Sequence, residues 1–149
     1  MTEADVLLVE DNHGDRHLIE RLFEERSLPG TLHPVDSGDA ALDWLHGRGE
    51  YVDAPRPDVV VLDLNLPATS GQAVLEEIKS DSSLKRIPVI VLTGSKSETD
   101  LVEAYESHAN ACLIKPVDPG AFGELFQSLT DFWVANAALP SEAERADRS

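Results

Sequence analysis

Basic residues are scarce. Twelve Lys and Arg stand against 28 Asp and Glu in 149 residues, a formal net charge of −16. Nonspecific nucleic-acid binding needs cationic side chains to neutralise phosphates, so it is excluded as a function. Such an excess is tolerated in concentrated salt, where a short Debye length screens self-repulsion, and it fits either a halophilic source or ordinary acidic solubility. There is one cysteine, Cys112, and hence no intramolecular disulfide. No apolar run approaches the roughly 18 residues of a membrane span, and Met1-Thr2-Glu3-Ala4-Asp5 lacks the basic region of a signal peptide. A cytoplasmic protein without a membrane partner is expected. His13, His17, His33, His46 and His108 are scattered, without the spacing of a zinc site, and read as surface residues.

What is present suffices for one domain. An apolar content of 42% supports a core, and a chain of this length can bury roughly 68–70% of its unfolded surface. Repeats and a second domain are absent; a single domain over residues 1–140 and a polar, disordered tail over 141–149 are expected. Val59-Val60-Val61-Leu62, bounded by Pro57-Asp58 and Pro67, reads as a strand buried on both faces, with Asp63 at its end. Val6–Val9, Thr31–Val35, Pro88–Leu92 and Ala111–Ile114 are further strands, the second near an edge because Pro34 removes a ladder donor. Between them, Asn12 caps a helix starting near Gly14, with Asp15 in its first turn and Leu18, Ile19, Leu22 and Phe23 on one face. Gly38 to about His46, Gly71–Ser80 and a stretch from Ser97 give three more. Asp118-Pro119 opens the last helix, in which Phe122, Leu125, Phe126, Leu129, Phe132 and Trp133 share a face. Gly47–Pro57 is a loop of about eleven residues, long for a compact domain. Five strands alternating with five helices predict an α/β fold with a doubly wound parallel sheet, whose functional groups gather at the carboxyl ends of the strands.

Those ends carry chemistry. Strand one ends in Glu10 and Asp11, strand three in Asp63, strand four in Thr93 and strand five in Lys115. Carboxylates gathered on one edge repel unless a cation sits among them, and hard oxygen ligands suit Mg²⁺. A carboxylate, a hydroxyl, an ammonium and Mg²⁺ are the equipment of phosphoryl transfer, with Asp63 as nucleophile, the metal and Lys115 offsetting charge, and Thr93 donating a hydrogen bond.

Four motifs carry a resemblance. Val9-Glu10-Asp11-Asn12, Leu62-Asp63-Leu64-Asn65-Leu66-Pro67 with Gly71, Leu92-Thr93 and Lys115-Pro116 stand in the order and spacing of response-regulator receiver domains, which the chain resembles over residues 5–133. The resemblance implies the flavodoxin-like strand order 2-1-3-4-5. It implies that Asp63 accepts a phosphoryl group from a sensor histidine kinase in two-component signalling, a phosphoacceptor rather than an enzyme, with at most self-phosphorylation and self-dephosphorylation. It also implies that Glu10, Asp11, Asp63 and the main-chain carbonyl of Asn65 bind Mg²⁺, and that Thr93 and Lys115 contact the phosphoryl group. Gly49-Glu50-Tyr51 with Ala54-Pro55-Arg56-Pro57, and Phe132-Trp133 with Leu139-Pro140, look like the stand-alone receivers that pair with phytochrome-type kinases. Those are often dimeric, which points to the fourth helix, fifth strand and fifth helix as the surface that changes on phosphorylation, meets a downstream protein and joins a homodimer.

Two positions depart from the family. Gly94 follows the switch threonine where alanine is usual, and fits close backbone approach to a phosphoryl group. Cys112 occupies the place of the aromatic that swings inward on phosphorylation; its plain reading is a small buried hydrophobe. Three rivals compare poorly or differ in one respect. A phosphatase of the haloacid-dehalogenase type needs an acid two residues after the nucleophile, where Asn65 stands. A flavin module needs a phosphate loop where Glu10-Asp11-Asn12-His13-Gly14 is acidic. A receiver-like scaffold that works without phosphorylation would not need its full motif set.

Overall fold

The computed structural model describes residues 4–94, 106 and 109–135. Five parallel strands lie in the order β2-β1-β3-β4-β5: β1 Ala4–Val9, β2 Gly30–Val35, β3 Val59–Asp63, β4 Val89–Thr93 and β5 Ala111–Ile114. Among the described residues, α-helices span His13–Glu25 (α1), Gly38–His46 (α2), Gly71–Ser80 (α3) and Pro119–Ala135 (the C-terminal helix). The expected helix from Ser97, the side chains of Phe132 and Trp133 and the tail 141–149 lie outside the described residues. No helix among them is long and apolar enough to cross a membrane.

Alternation along the strands divides the core in two. Leu7, Val9, Val60, Leu62, Val89 and Val91 face α2 and α3, packing on Ala41, Val74, Leu75 and Ile78. Val6, Leu8, Val59, Val61, Ile90 and Leu92 face α1 and the C-terminal helix, packing on Ile19, Leu22, Phe23, Phe122 and Phe126. Phe23 meets Phe126 edge-on with ring centroids 4.9 Å apart, a favoured aromatic geometry. Each helix start is capped: Asn12, Ser37, Ser70 and Asp118 each accept from the backbone N–H three residues on, at 2.8–3.1 Å, which satisfies a donor that the first turn leaves unpaired.

β2 is an edge strand, as Pro34 required. The Gly47–Pro57 stretch is less open than its composition suggests. Gly49–Tyr51 forms a short 3₁₀ turn, and Trp44 Nε1 donates to Pro55 O at 3.0 Å, while its ring lies 5.1 Å from that of Tyr51. The surface reading of the histidines is corrected at two, while His108 lies outside the described residues. His46 is half-buried, its Nε2 3.4 Å from Glu77 Oε1. His33 is half-buried, its Nε2 2.9 Å from Asp5 Oδ1 and its ring 5.2 Å from that of Trp44. Packing of its ring against Trp44 of α2 covers His33, which a histidine's spacing along the chain does not reveal.

Candidate functional site

Register brings the polar strand ends together. Val9 lies level with Leu62, so Glu10 comes level with Asp63. Asp63 lies level with Leu92 and Thr93 with Ile114, so Lys115 follows within one residue. Alternation then selects the face. Glu10 continues the Val6, Leu8 series, Asp63 the Val59, Val61 series and Lys115 follows Leu113, all on the side of α1 and the C-terminal helix. Thr93 is buried at the end of β4 and its carbonyl accepts from the Lys115 N–H at 2.7 Å.

The loop behind Asp63 is drawn in tightly. A Cβ on Gly71 would lie 2.1 Å from the Asp63 carbonyl oxygen, so only glycine lets α3 start here. The Asn65 N–H donates to Asp63 Oδ1 at 2.9 Å, fixing the carboxylate's orientation. The Asn65 side chain lies over Gly94, where a Cβ would meet Asn65 Nδ2 at 3.7 Å, an ordinary contact. The surrounding protein therefore does not itself demand glycine at 94.

Burial makes the cluster electrostatically tense. Glu10 is 0% exposed and Asp63 2%, and one ligand oxygen from each of Glu10, Asp11 and Asp63 lies within 4.8 Å of the others. Lys115 Nζ is 2.8 Å from Glu10 Oε1 and 3.1 Å from Asp63 Oδ2. The Glu10 contact is out of line for a hydrogen bond, and Oε1 is shielded from solvent without a hydrogen-bond partner. Burial, then the hydrogen bond and charge of Asp63, push the Glu10 carboxyl up to about 7, against the opposing pull of Lys115 and of the Asn12 N–H. Burial also draws Lys115 down, but Asp15, Glu10 and the charge of Asp63 outweigh it and hold the ammonium above the ordinary lysine range.

A buried carboxylate oxygen with no hydrogen-bond partner, faced by a lysine ammonium, within a set of three hard oxygen donors fits a divalent cation of the Mg²⁺ or Mn²⁺ kind. No nitrogen or sulfur ligand stands among them to favour zinc.

Sequence reasoning missed one member. Asp15 Oδ2 accepts from Lys115 Nζ at 2.9 Å across 100 residues; its sequence context suggested only a first-turn acid. The available signal was helical spacing, because Asp15 precedes the buried Ile19 by four residues and Phe23 by eight, which puts it on the inward face.

The "Response regulator receiver domain" family matches residues 6–127. The chain belongs to the response-regulator receiver family. It is 39% identical to Response regulator Rcp1 of Synechocystis over 136 residues, 91% of this chain and 92% of that one. It is 38% identical to the probable methanogenesis regulatory protein FilR2 of Methanothrix harundinacea over 141 residues, 93% and 88% of the two chains. Of solved structures, the phosphorylated cyanobacterial phytochrome response regulator RcpA matches with a TM-score of 0.79 and 39% identity, covering 93% of this chain and 99% of that one. The Mn²⁺-bound form of Rcp1 matches with a TM-score of 0.77 and 39% identity, covering 92% and 99%.

Proposed function

We propose that this receiver takes a phosphoryl group onto the Asp63 carboxylate from a sensor histidine kinase, of the phytochrome type by likeness to Rcp1 and RcpA. The observation that carries the reading is the convergence of Glu10, Asp11, Asp63 and Lys115 on one face of the sheet's carboxyl edge, with Asp63 oriented by the Asn65 N–H. A carboxylate oxygen of Asp63 attacks phosphorus, the bond from phosphorus to the kinase imidazole breaks, and the imidazole leaves with the electron pair. Lys115 offsets negative charge on the phosphoryl oxygens, and Thr93, at the adjacent strand end, hydrogen-bonds one of them. Mg²⁺ held by Glu10, Asp11, Asp63 and the Asn65 carbonyl would supply the remaining positive charge.

The new group brings about −1.5 to −2 charge and three acceptor oxygens. Repositioning of Thr93 and Lys115 passes this to the surface around β5 and the C-terminal helix, where a downstream protein or a second copy would bind. Cys112 lies on the opposite face of β5 from Leu113, partly buried against the α2–α3 side of the core. Burial pushes its thiol up, so it acts as a neutral, compact side chain. The readout therefore runs without the aromatic rotation usual in the family.

The test is labelling by acetyl phosphate or phosphoramidate with Mg²⁺, followed by mass. Wild type gains one phosphoryl group and Asp63→Asn gains none. Uptake by Asp63→Asn at the wild-type rate overturns the assignment.

A further inference from the structure

Asp15 belongs to the ion-pair cluster but not to the carboxylate trio that fits a cation. The Lys115 ammonium has three donors and no acceptor. It stands among three carboxylates from three elements: Glu10 Oε1 at 2.8 Å, Asp15 Oδ2 at 2.9 Å and Asp63 Oδ2 at 3.1 Å. Glu10 and Asp63 are also two of the three cation-ready carboxylates. Lysine and cation therefore compete for the same two anions. The Lys115 side chain is 16% exposed, so an ammonium deprived of both partners would be left poorly solvated beside an incoming positive charge. Asp15 is 39% exposed and its backbone is fixed by the Asn12 cap, so it stands ready at the mouth of the site.

We propose that Asp15 is a positioning residue for Lys115, the carboxylate that keeps the ammonium at the site once Glu10 and Asp63 turn to a divalent cation. By drawing the lysine toward the rim, Asp15 lowers its competition with that cation. The inference rests on the cation half of the function proposed above and not on phosphoryl transfer.

The experiment is calorimetric titration of Mg²⁺ into the full chain at fixed pH and ionic strength, for wild type, Asp15→Asn, Lys115→Met and the double variant. Asp15→Asn is isosteric, and its thermal melting in chelator confirms a folded sample. Mg²⁺ binding weakens roughly three- to tenfold in Asp15→Asn, the coupling expected of neighbouring charged groups. Lys115→Met binds more tightly than wild type because the competitor is gone. In the Lys115→Met background the Asp15 substitution costs little. Equal weakening in both backgrounds would mean that Asp15 acts by its own charge and not through the lysine, and overturns the proposal; so does no weakening at all. Phosphoramidate labelling of the same wild-type sample separates the two readings. A chain that binds Mg²⁺ but takes no label sinks the transfer function while the cycle still decides the role of Asp15. A wild type that binds no Mg²⁺ sinks both.

Discussion

Two half-buried lysines lie at opposite ends of the sheet, and what surrounds them differs. At the amino ends of β4 and β5, Lys79 in the last turn of α3 donates to Ile87 O at 2.7 Å, Lys85 O at 3.2 Å and Asn110 Oδ1 at 3.3 Å. Asn110 Oδ1 in turn accepts from the Val89 N–H at 2.9 Å. Burial without an anion pushes Lys79 below the ordinary lysine range, whereas carboxylates hold Lys115 above it. A cation held by neutral carbonyls has no substitute, and its bonds tie α3 to the starts of two strands. A cation held by carboxylates can give way to another cation with the charge still balanced. Lys79 is thus a clamp, while Lys115 occupies a place that can change hands.

Substituting each lysine breaks the comparison, with the larger effect at Lys115. In chelator, Lys115→Met leaves three carboxylates without their counter-charge, and the free energy of unfolding falls by about 3 kcal/mol. Mg²⁺ recovers most of that loss, because it supplies the missing charge to Glu10 and Asp63. Lys79→Met leaves carbonyl acceptors unsatisfied and costs about 2 kcal/mol, equally with and without Mg²⁺, and Mg²⁺ affinity does not change. Urea unfolding with and without Mg²⁺ measures all four quantities. A loss at Lys115 that Mg²⁺ does not recover, or one at Lys79 that it does, would erase the distinction.

The two lysines also differ in how well the sequence announces them. Lys115 follows an apolar strand and precedes a proline, and its match to Glu10, Asp11 and Asp63 needs only the rule that a parallel sheet gathers its carboxyl ends. The strand order came instead from the resemblance to receiver domains, and the edge position of β2 from the ladder donor that Pro34 lacks. Lys79 carries no such mark, since two of its partners are backbone carbonyls of a turn whose path no side-chain pattern encodes, and the third, Asn110, lies 31 residues on. Asp15 falls between. Its place on the Ile19–Phe23 face of α1 was readable, but a pairing across 100 residues depends on how α1 packs against the C-terminal helix, which is set by Phe23 against Phe122 and Phe126. His33 was misjudged for a similar reason, its burial coming from contacts with Trp44 of α2 and Asp5 of β1.

The smallest effect sharpens the contrast by pH. Glu10, with its ordinary value of 4.5 raised to about 7, binds a proton more tightly in the folded chain than in the unfolded one. Its contribution to stability is therefore fully present below about pH 4.5 and is lost as pH rises through about 7. A cation requires the ionised carboxylate, so its binding follows the opposite course. Between about pH 6 and about pH 8 the ionised fraction of a group titrating near 7 rises about tenfold, and Mg²⁺ affinity rises by the same factor. Stability in chelator and affinity for Mg²⁺ thus move in opposite directions across one window. Lys79→Met should leave both curves in place, since no carboxylate among the described residues pairs with it. Lys115→Met should move both midpoints to higher pH, because the lysine opposes the upward push on Glu10. Titration calorimetry at three pH values, paired with urea unfolding in chelator, gives both curves. A Mg²⁺ affinity that stays flat across the window would mean that no proton on Glu10 competes with the cation.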